Sequence, residues 1–177
     1  MARIGAVLSL FLSLFMPQAV WADAKELGVA HSIVINAPAE RVWDIAGDFV
    51  GVPRWLTTIP SSRLVLGRNR EVGCIRELTR ANGTKVQEKV IEYDPWNMTF
   101  TYTYVGGQPL VSHYFATLKV TELDGGRTRV DWSAKFKRLD YWTDEPPPGQ
   151  EDDTLLALFN RIYSGGLESL KKVVEEQ

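Results

Sequence analysis

Runs that alternate apolar and polar side chains at every second residue fill most of the chain, and stretches with helical spacing flank them. Residues 31–36 form a short, β-branched strand. Asn36, Pro38 and Glu40 then carry the marks of a helix start: a capping side chain, a proline for the first turn and an acid at the positive end. Val42, Trp43, Ile45, Ala46 and Phe49 supply its apolar face. Gly51 and Pro53 break it, and Trp55-Leu56 continue as a second short helix. Strands are predicted over residues 63–66, 72–80, 84–93, 98–105, 110–123 and 127–138, separated by short turn-rich segments such as 81–83, 94–97, 106–109 and 124–126. Separators this short imply an antiparallel meander rather than crossovers. A final amphipathic helix runs from about Asp152 to Glu175. Leu155, Leu158, Phe159, Ile162, Leu170 and Val173 line its apolar side, with Asp153, Arg161, Glu168, Lys171 and Lys172 opposite. Gly165-Gly166 in its middle implies a kink or a close approach to the sheet.

The alternation also assigns faces. Val130, Trp132, Ala134 and Phe136 share one side of the last strand; Phe100, Tyr102 and Tyr104 share one side of another. Tyr114, Ala116, Leu118 and Val120 do the same on a third. An inner face that is apolar but studded with phenols suits a small-molecule pocket, and it suits a filled core equally.

Register places one charged pair on that face. A three-residue loop centred on Asn82 sets Leu78 against Val86, Arg76 against Glu88 and Cys74 against Val90. A two-residue turn would instead oppose Arg76 to Lys89 and Glu77 to Glu88, two like-charge clashes. The pair reads as a cross-strand structural bridge or as a polar ligand anchor. The cavity candidates are therefore Arg76, Glu88, Phe100, Tyr102, Tyr104, Tyr114 and Trp132. His31 and His113 read as surface or edge residues, and no catalytic set is assigned.

Composition removes several classes of function. The 177 residues carry 20 basic and 22 acidic side chains, a formal charge of −2 and an isoelectric point near 5.7. A chain so nearly neutral lacks the basic surface that displaces counterions from nucleic acid. The single cysteine, Cys74, excludes an intramolecular disulfide, and its apolar setting makes it a core residue. No metal-binding spacing is present. Residues 1–22 have the form of a secretory leader, with Arg3, an apolar run over residues 4–16 and Val20-Trp21-Ala22 at the cleavage site. Cleavage after Ala24 is the competing position. The expected product is one exported domain, residues 23–177, periplasmic and without a membrane span.

Residues 140–153 are compositionally distinct, with six acids, no base, three consecutive prolines and the pair Tyr141-Trp142. The segment reads as a stiff solvated connector or as a docking loop, in which Tyr141, Trp142, Asp144, Glu145, Asp152 and Asp153 would meet a partner.

The element order β-α-α-β-β-β-β-β-β-α, with Ile33-Val34-Ile35-Asn36-Ala37-Pro38-Ala39-Glu40-Arg41-Val42-Trp43, resembles the START-like polyketide cyclase superfamily (SRPBCC, Bet v 1-like). Gly73-x-x-Arg76, Gly83, Glu88, Asp94 and Tyr102 resemble that family's meander. So do Thr117-Leu118-Lys119-Val120 and Gly126-x-Thr128-x-Val130-x-Trp132. The resemblance implies an α+β helix-grip fold: a curved antiparallel sheet of about seven strands wrapped around a long C-terminal helix, two short helices after the first strand, and a cavity between sheet and helix. As an exported single domain, the chain further resembles the periplasmic accessory proteins of bacterial methanol oxidation. That resemblance implies a non-enzymatic protein with no cofactor of its own, assisting contact between quinoprotein methanol dehydrogenase and its cytochrome c acceptor. The alternatives are a carrier of a small hydrophobic or aromatic ligand, and a cyclase or dehydratase using Arg76, Glu88 and the tyrosines.

Overall fold

The computed structural model describes residues 25–176, so the expected leader and both of its cleavage sites lie outside the described residues. Seven strands form one antiparallel sheet: β1 (Leu27–Ile35), β2 (Ser61–Leu66), β3 (Ile75–Thr79), β4 (Lys85–Asp94), β5 (Thr99–Gly107), β6 (Ser112–Leu123) and β7 (Arg127–Lys137). The helices are α1 (Ala39–Ala46) and α2 (Asp152–Glu175), with one turn of 3-10 helix at Val52–Arg54. The order across the sheet is β1-β7-β6-β5-β4-β3-β2. Six strands thus follow the meander, and β1 returns to the far side of β7. The curved sheet grips α2, which is the helix-grip arrangement.

Alternation decides which side is dry. On β6 and β7 the buried hydrophobic residues are Tyr114, Ala116, Leu118, Val120, Val130, Trp132, Ala134 and Phe136. They face α1, α2 and the 3-10 turn in one continuous core. The expected pairings Arg76 with Glu88 and Leu78 with Val86 are both present. Arg80 and Thr84 close the three-residue loop with a hydrogen bond from the Arg80 amide to the Thr84 carbonyl at 2.9 Å. Cys74 lies just before β3, yet its carbonyl still accepts from the Val90 amide at 2.9 Å, so it faces Val90 from outside the strand.

Several boundaries differ from expectation for identifiable reasons. β1 begins at Leu27, because Leu27 and Val29 bury against β7 even though the neighbouring Gly28 and Ala30 are poor strand formers. Asn36 does not cap α1. Pro38 occupies that position with no side-chain cap, and the Asn36 amide donates to the Glu175 carboxylate at 2.7 Å. The second helix shrinks to the single 3-10 turn, with Trp55 at its end.

α2 runs unbroken through Gly165-Gly166. Gly165 faces open space, whereas a Cβ on Gly166 would lie 2.9 Å from both Leu56 Cδ1 and Trp132 Cζ3. Trp132 cannot yield, because it stacks on Tyr163 with ring centroids 3.9 Å apart. The glycine pair therefore marks close packing on the sheet. Gly166→Ala should lower stability by about 1–3 kcal/mol through overpacking, while Gly165→Ala should raise it by roughly 0.5–1 kcal/mol through helix propensity. Denaturant midpoints of the two variants check this, and equal shifts of the same sign would contradict the packing account.

Candidate functional site

Between the concave sheet and α2 lies a cavity of about 500 Å³. Its size is that of small-molecule sites. Leu78 of β3 and Val86 of β4 form one wall, Phe159 and Ile162 of α2 the other, and Tyr102, Tyr114, Trp132 and Tyr163 close the inner end. Thr58, Ala81, Asn82 and Arg161 line it while remaining exposed, so they mark its mouth.

The strand register carries Arg76 and Glu88 into this interior, where each is only 4% exposed. Arg76 donates Nε and Nη2 to the same carboxylate oxygen, Glu88 Oε2, at 2.8 and 2.6 Å. Its Nη1 donates to the Phe49 carbonyl, and its guanidinium carbon lies 3.8 Å from the centroid of the Phe49 ring. The cation is therefore held by a carboxylate, a carbonyl and an aromatic face at once. A buried pair of this kind fails badly when halved: removing one partner leaves an uncompensated charge at a cost of about 3–5 kcal/mol.

The phenols form a chain of their own. Trp132 Nε1 donates to Tyr102 Oη at 3.1 Å, and Tyr114 Oη donates to the same oxygen at 3.5 Å. Tyr114 and Tyr163 share a hydrogen bond of 2.6 Å. Tyr104 stacks on Tyr114 with centroids 4.2 Å apart. Burial, with the Glu88 charge second, pushes the Tyr102 phenol up to about 12 and raises Tyr104 further in the same direction. Burial likewise holds Tyr114 and Tyr163 well above the usual phenol range. At neutral pH the wall is thus a row of neutral hydroxyls.

Six of the seven residues expected in the cavity line it: Arg76, Glu88, Tyr102, Tyr104, Tyr114 and Trp132. Phe100 does not. It packs in the core between Trp43, Phe49, Tyr93 and Tyr102, on the same strand face but nearer α1. Tyr163 and Phe159 were not expected as wall residues, nor was Arg80 at the end of its predicted strand, and Arg161 was expected on the wet side of the last helix rather than at the cavity. Tyr163 follows Phe159 by four residues and Leu155 by eight, so the helical period contained the signal. Neither histidine reaches the cavity: His31 Nε2 pairs with Asn160 Oδ1 at 2.8 Å, and exposed His113 meets the Tyr141 ring edge-on at 5.1 Å. Cys74 is fully buried, and burial raises its thiol.

The acidic segment divides. Trp142 is 68% exposed, and Asp144, Glu145 and Asp153 are exposed as well. Asp152, in contrast, pairs with Lys25 and Arg138, each at 3.4 Å, and so fastens the start of α2 to its surroundings. Tyr141 is half-buried beneath His113 and Lys137.

The family described as polyketide cyclase / dehydrase and lipid transport matches residues 26–175. The chain belongs to this family. Among curated proteins it is similar to the abscisic acid receptor PYL6 of Arabidopsis thaliana, with 23% identity over 144 residues, 80% of this chain and 66% of the receptor. Among solved structures it is similar to the protein XoxI of Bacillus cereus, at 28% identity and a TM-score of 0.70, covering 84% of this chain and 95% of that one. The Zhui aromatase/cyclase of Streptomyces sp. R1128 superposes with a TM-score of 0.71 at 18% identity, covering 85% and 94%, a likeness of fold alone. The family's description spans cyclisation, dehydration and lipid transport, so the interior side chains of this member are the place to read its own chemistry.

Two measurements test the site. In a double-mutant cycle, Arg76→Met and Glu88→Gln should couple by about 0.5–3 kcal/mol, because each single change strands the other partner; simple additivity would separate them. In a spectrophotometric titration, Tyr102, Tyr104, Tyr114 and Tyr163 should not ionise near the ordinary phenol range around pH 10. Because folding raises these phenols, the stability they contribute is present below the unfolded value and falls as pH rises from about 10 through the folded values. Their absorbance should appear together with alkaline unfolding; gradual ionisation of all six tyrosines in the folded protein would contradict the burial.

Proposed function

We propose that the chain is a binding protein for a small apolar, ring-bearing molecule, held between the sheet and α2. The observation that carries this reading is the wall itself: an apolar cavity of about 500 Å³ whose inner end presents stacked aromatic rings, neutral hydroxyls and one satisfied ion pair. Rings give a guest flat, low-entropy contact area, and a few hydroxyls fix its orientation. The family description, which includes lipid transport, and the receptor among the relatives support a holding role.

A cyclase or dehydratase would draw on the same Arg76, Glu88 and tyrosines. Proton transfer near neutrality needs a group poised near that pH. The phenols here are pushed upward, Glu88 is committed to Arg76, and both histidines lie elsewhere. Holding is the better use of these groups than turnover.

Native mass spectrometry of the purified protein should show a small molecule bound one-to-one. Ile162→Trp, at a half-buried position on the α2 wall, should fill the space and reduce occupancy by more than about tenfold, with little change in thermal midpoint. Equal occupancy in the variant would place the guest outside the cavity.

A second reading rests on a separate observation, the exposed Trp142 beside the exposed acids Asp144, Glu145 and Asp153. In it, an exported, periplasmic form of the chain docks through residues 140–153 to methanol dehydrogenase and its cytochrome c and assists their contact. Neutralising Asp144, Glu145 and Asp153 should then slow association at low salt, and the difference should fade once the screening length falls below about 8 Å. Trp142→Ala should speed dissociation with little salt dependence. Stopped-flow binding across a salt series distinguishes the two effects, and identical rates for all three proteins would reduce the segment to a connector.

A further inference from the structure

The charges around the cavity do not balance, and their placement says what kind of guest fits. Deep in the wall, Arg76 is neutralised by Glu88. Towards the mouth, Arg80 and Arg161 also line the space. Arg80 Nη1 donates only to uncharged acceptors, the Gln108 carbonyl at 2.8 Å and Thr84 Oγ1 at 3.2 Å. Arg161 sits exposed on the cavity side of α2. Among the described residues, neither Arg80 nor Arg161 has a carboxylate within ion-pair distance, whereas most other arginines of the chain do. Glu88 is the one carboxylate among the lining residues. The remaining polar lining groups are neutral: Thr58, Asn82 and the phenols. A protein with a net negative charge thus keeps two uncompensated guanidiniums at the rim of its apolar cavity.

We propose, building on the binding role above, that the guest is an organic acid ionised at neutral pH. Its apolar or aromatic body lies against Leu78, Val86, Phe159 and the tyrosines, and its anionic end lies at the mouth between Arg80 and Arg161. The inner hydroxyls of Tyr102 and Tyr114 meet only neutral atoms of the guest, because the one cation at that depth, Arg76, is already held by Glu88. This orientation follows from geometry: the free positive charge is at the rim, where a carboxylate can stay partly hydrated, and the apolar surface is inside. Guanidinium forks suit such a group, and near the surface the attraction raises affinity without requiring a buried, desolvated anion.

A matched pair of fluorescent probes tests the idea. The anionic dye 1-anilinonaphthalene-8-sulfonate and its neutral parent, N-phenyl-1-naphthylamine, share one ring system and differ in the acid group. Both should bind the wild-type protein, and Ile162→Trp should abolish both signals. Arg161→Gln should weaken the anionic dye by about 5- to 30-fold and the neutral dye by less than about twofold, with the loss shrinking as salt rises. Arg161→Glu should widen the gap further. Arg80→Gln should act in the same direction, and since Arg80 also ties the loop to Gln108, the Arg161 variants are the decisive ones. Equal weakening of the two dyes, or unchanged anionic binding in Arg161→Glu, would overturn the acid assignment while leaving the cavity in place. If neither dye binds, or if both persist in Ile162→Trp, the binding role falls and the acid assignment with it.

Discussion

The buried pair of Arg76 and Glu88 is the constraint on which the interior depends. It locks the register of β3 against β4, since a slip of one residue would turn the charged groups outward and the apolar ones into water. Through Nη1 it also fixes the carbonyl of Phe49, and through its planar face the Phe49 ring, so the segment after α1 is tied to β3. The same charges shape their neighbours: the Glu88 carboxylate helps keep the Tyr102 and Tyr104 phenols protonated. An apolar pair of similar volume would often be as stable or more so. Stability alone does not explain retaining an ion pair here, whereas a need for a polar, incompletely filled interior does.

Aromatic stacking supplies the complementary constraint on α2. Trp132 against Tyr163 at 3.9 Å and Phe136 against Phe159 at 4.4 Å fix the helix over β7, and Gly166 permits the approach beside Leu56 and Trp55. With the helix held there, the side chains of Leu78, Val86 and Ile162 do not fill the space in front of β3 and β4, and the cavity remains. The fold and the opening thus share the same contacts. A family that includes differently named activities can keep the frame and change the lining.

Much of this was legible before any coordinates. Period-two alternation placed Tyr102, Tyr114 and Trp132 on the inner face, and like-charge avoidance alone chose the register that brings Arg76 to Glu88. The failures share a physical cause, which is that parity gives a face but not a position along it. Phe100 has the same parity as Tyr102 yet lies under α1, in the core rather than the cavity. Arg161 was read as the wet side of the helix because a side chain at a cavity rim is exposed and polar by any pattern. Asp152 was grouped with the exposed acids around it, since only the folded arrangement brings Lys25 and Arg138 to it. The Asn36 cap failed for a related reason: the end of α2 arrives beside that backbone and supplies a carboxylate from far along the chain.

The central claim is that the polar interior is kept for a guest rather than for stability. The most direct test replaces both charges at once, Arg76→Met with Glu88→Leu, and measures denaturant stability and the affinity for the neutral dye or the native guest in the same protein. The account predicts that stability is kept within about 1–2 kcal/mol while affinity falls, because the wall loses its polar anchor and closes on the vacated space. Collapse of stability with affinity unchanged in the folded fraction would show that the pair is structural and that the cavity does not depend on it.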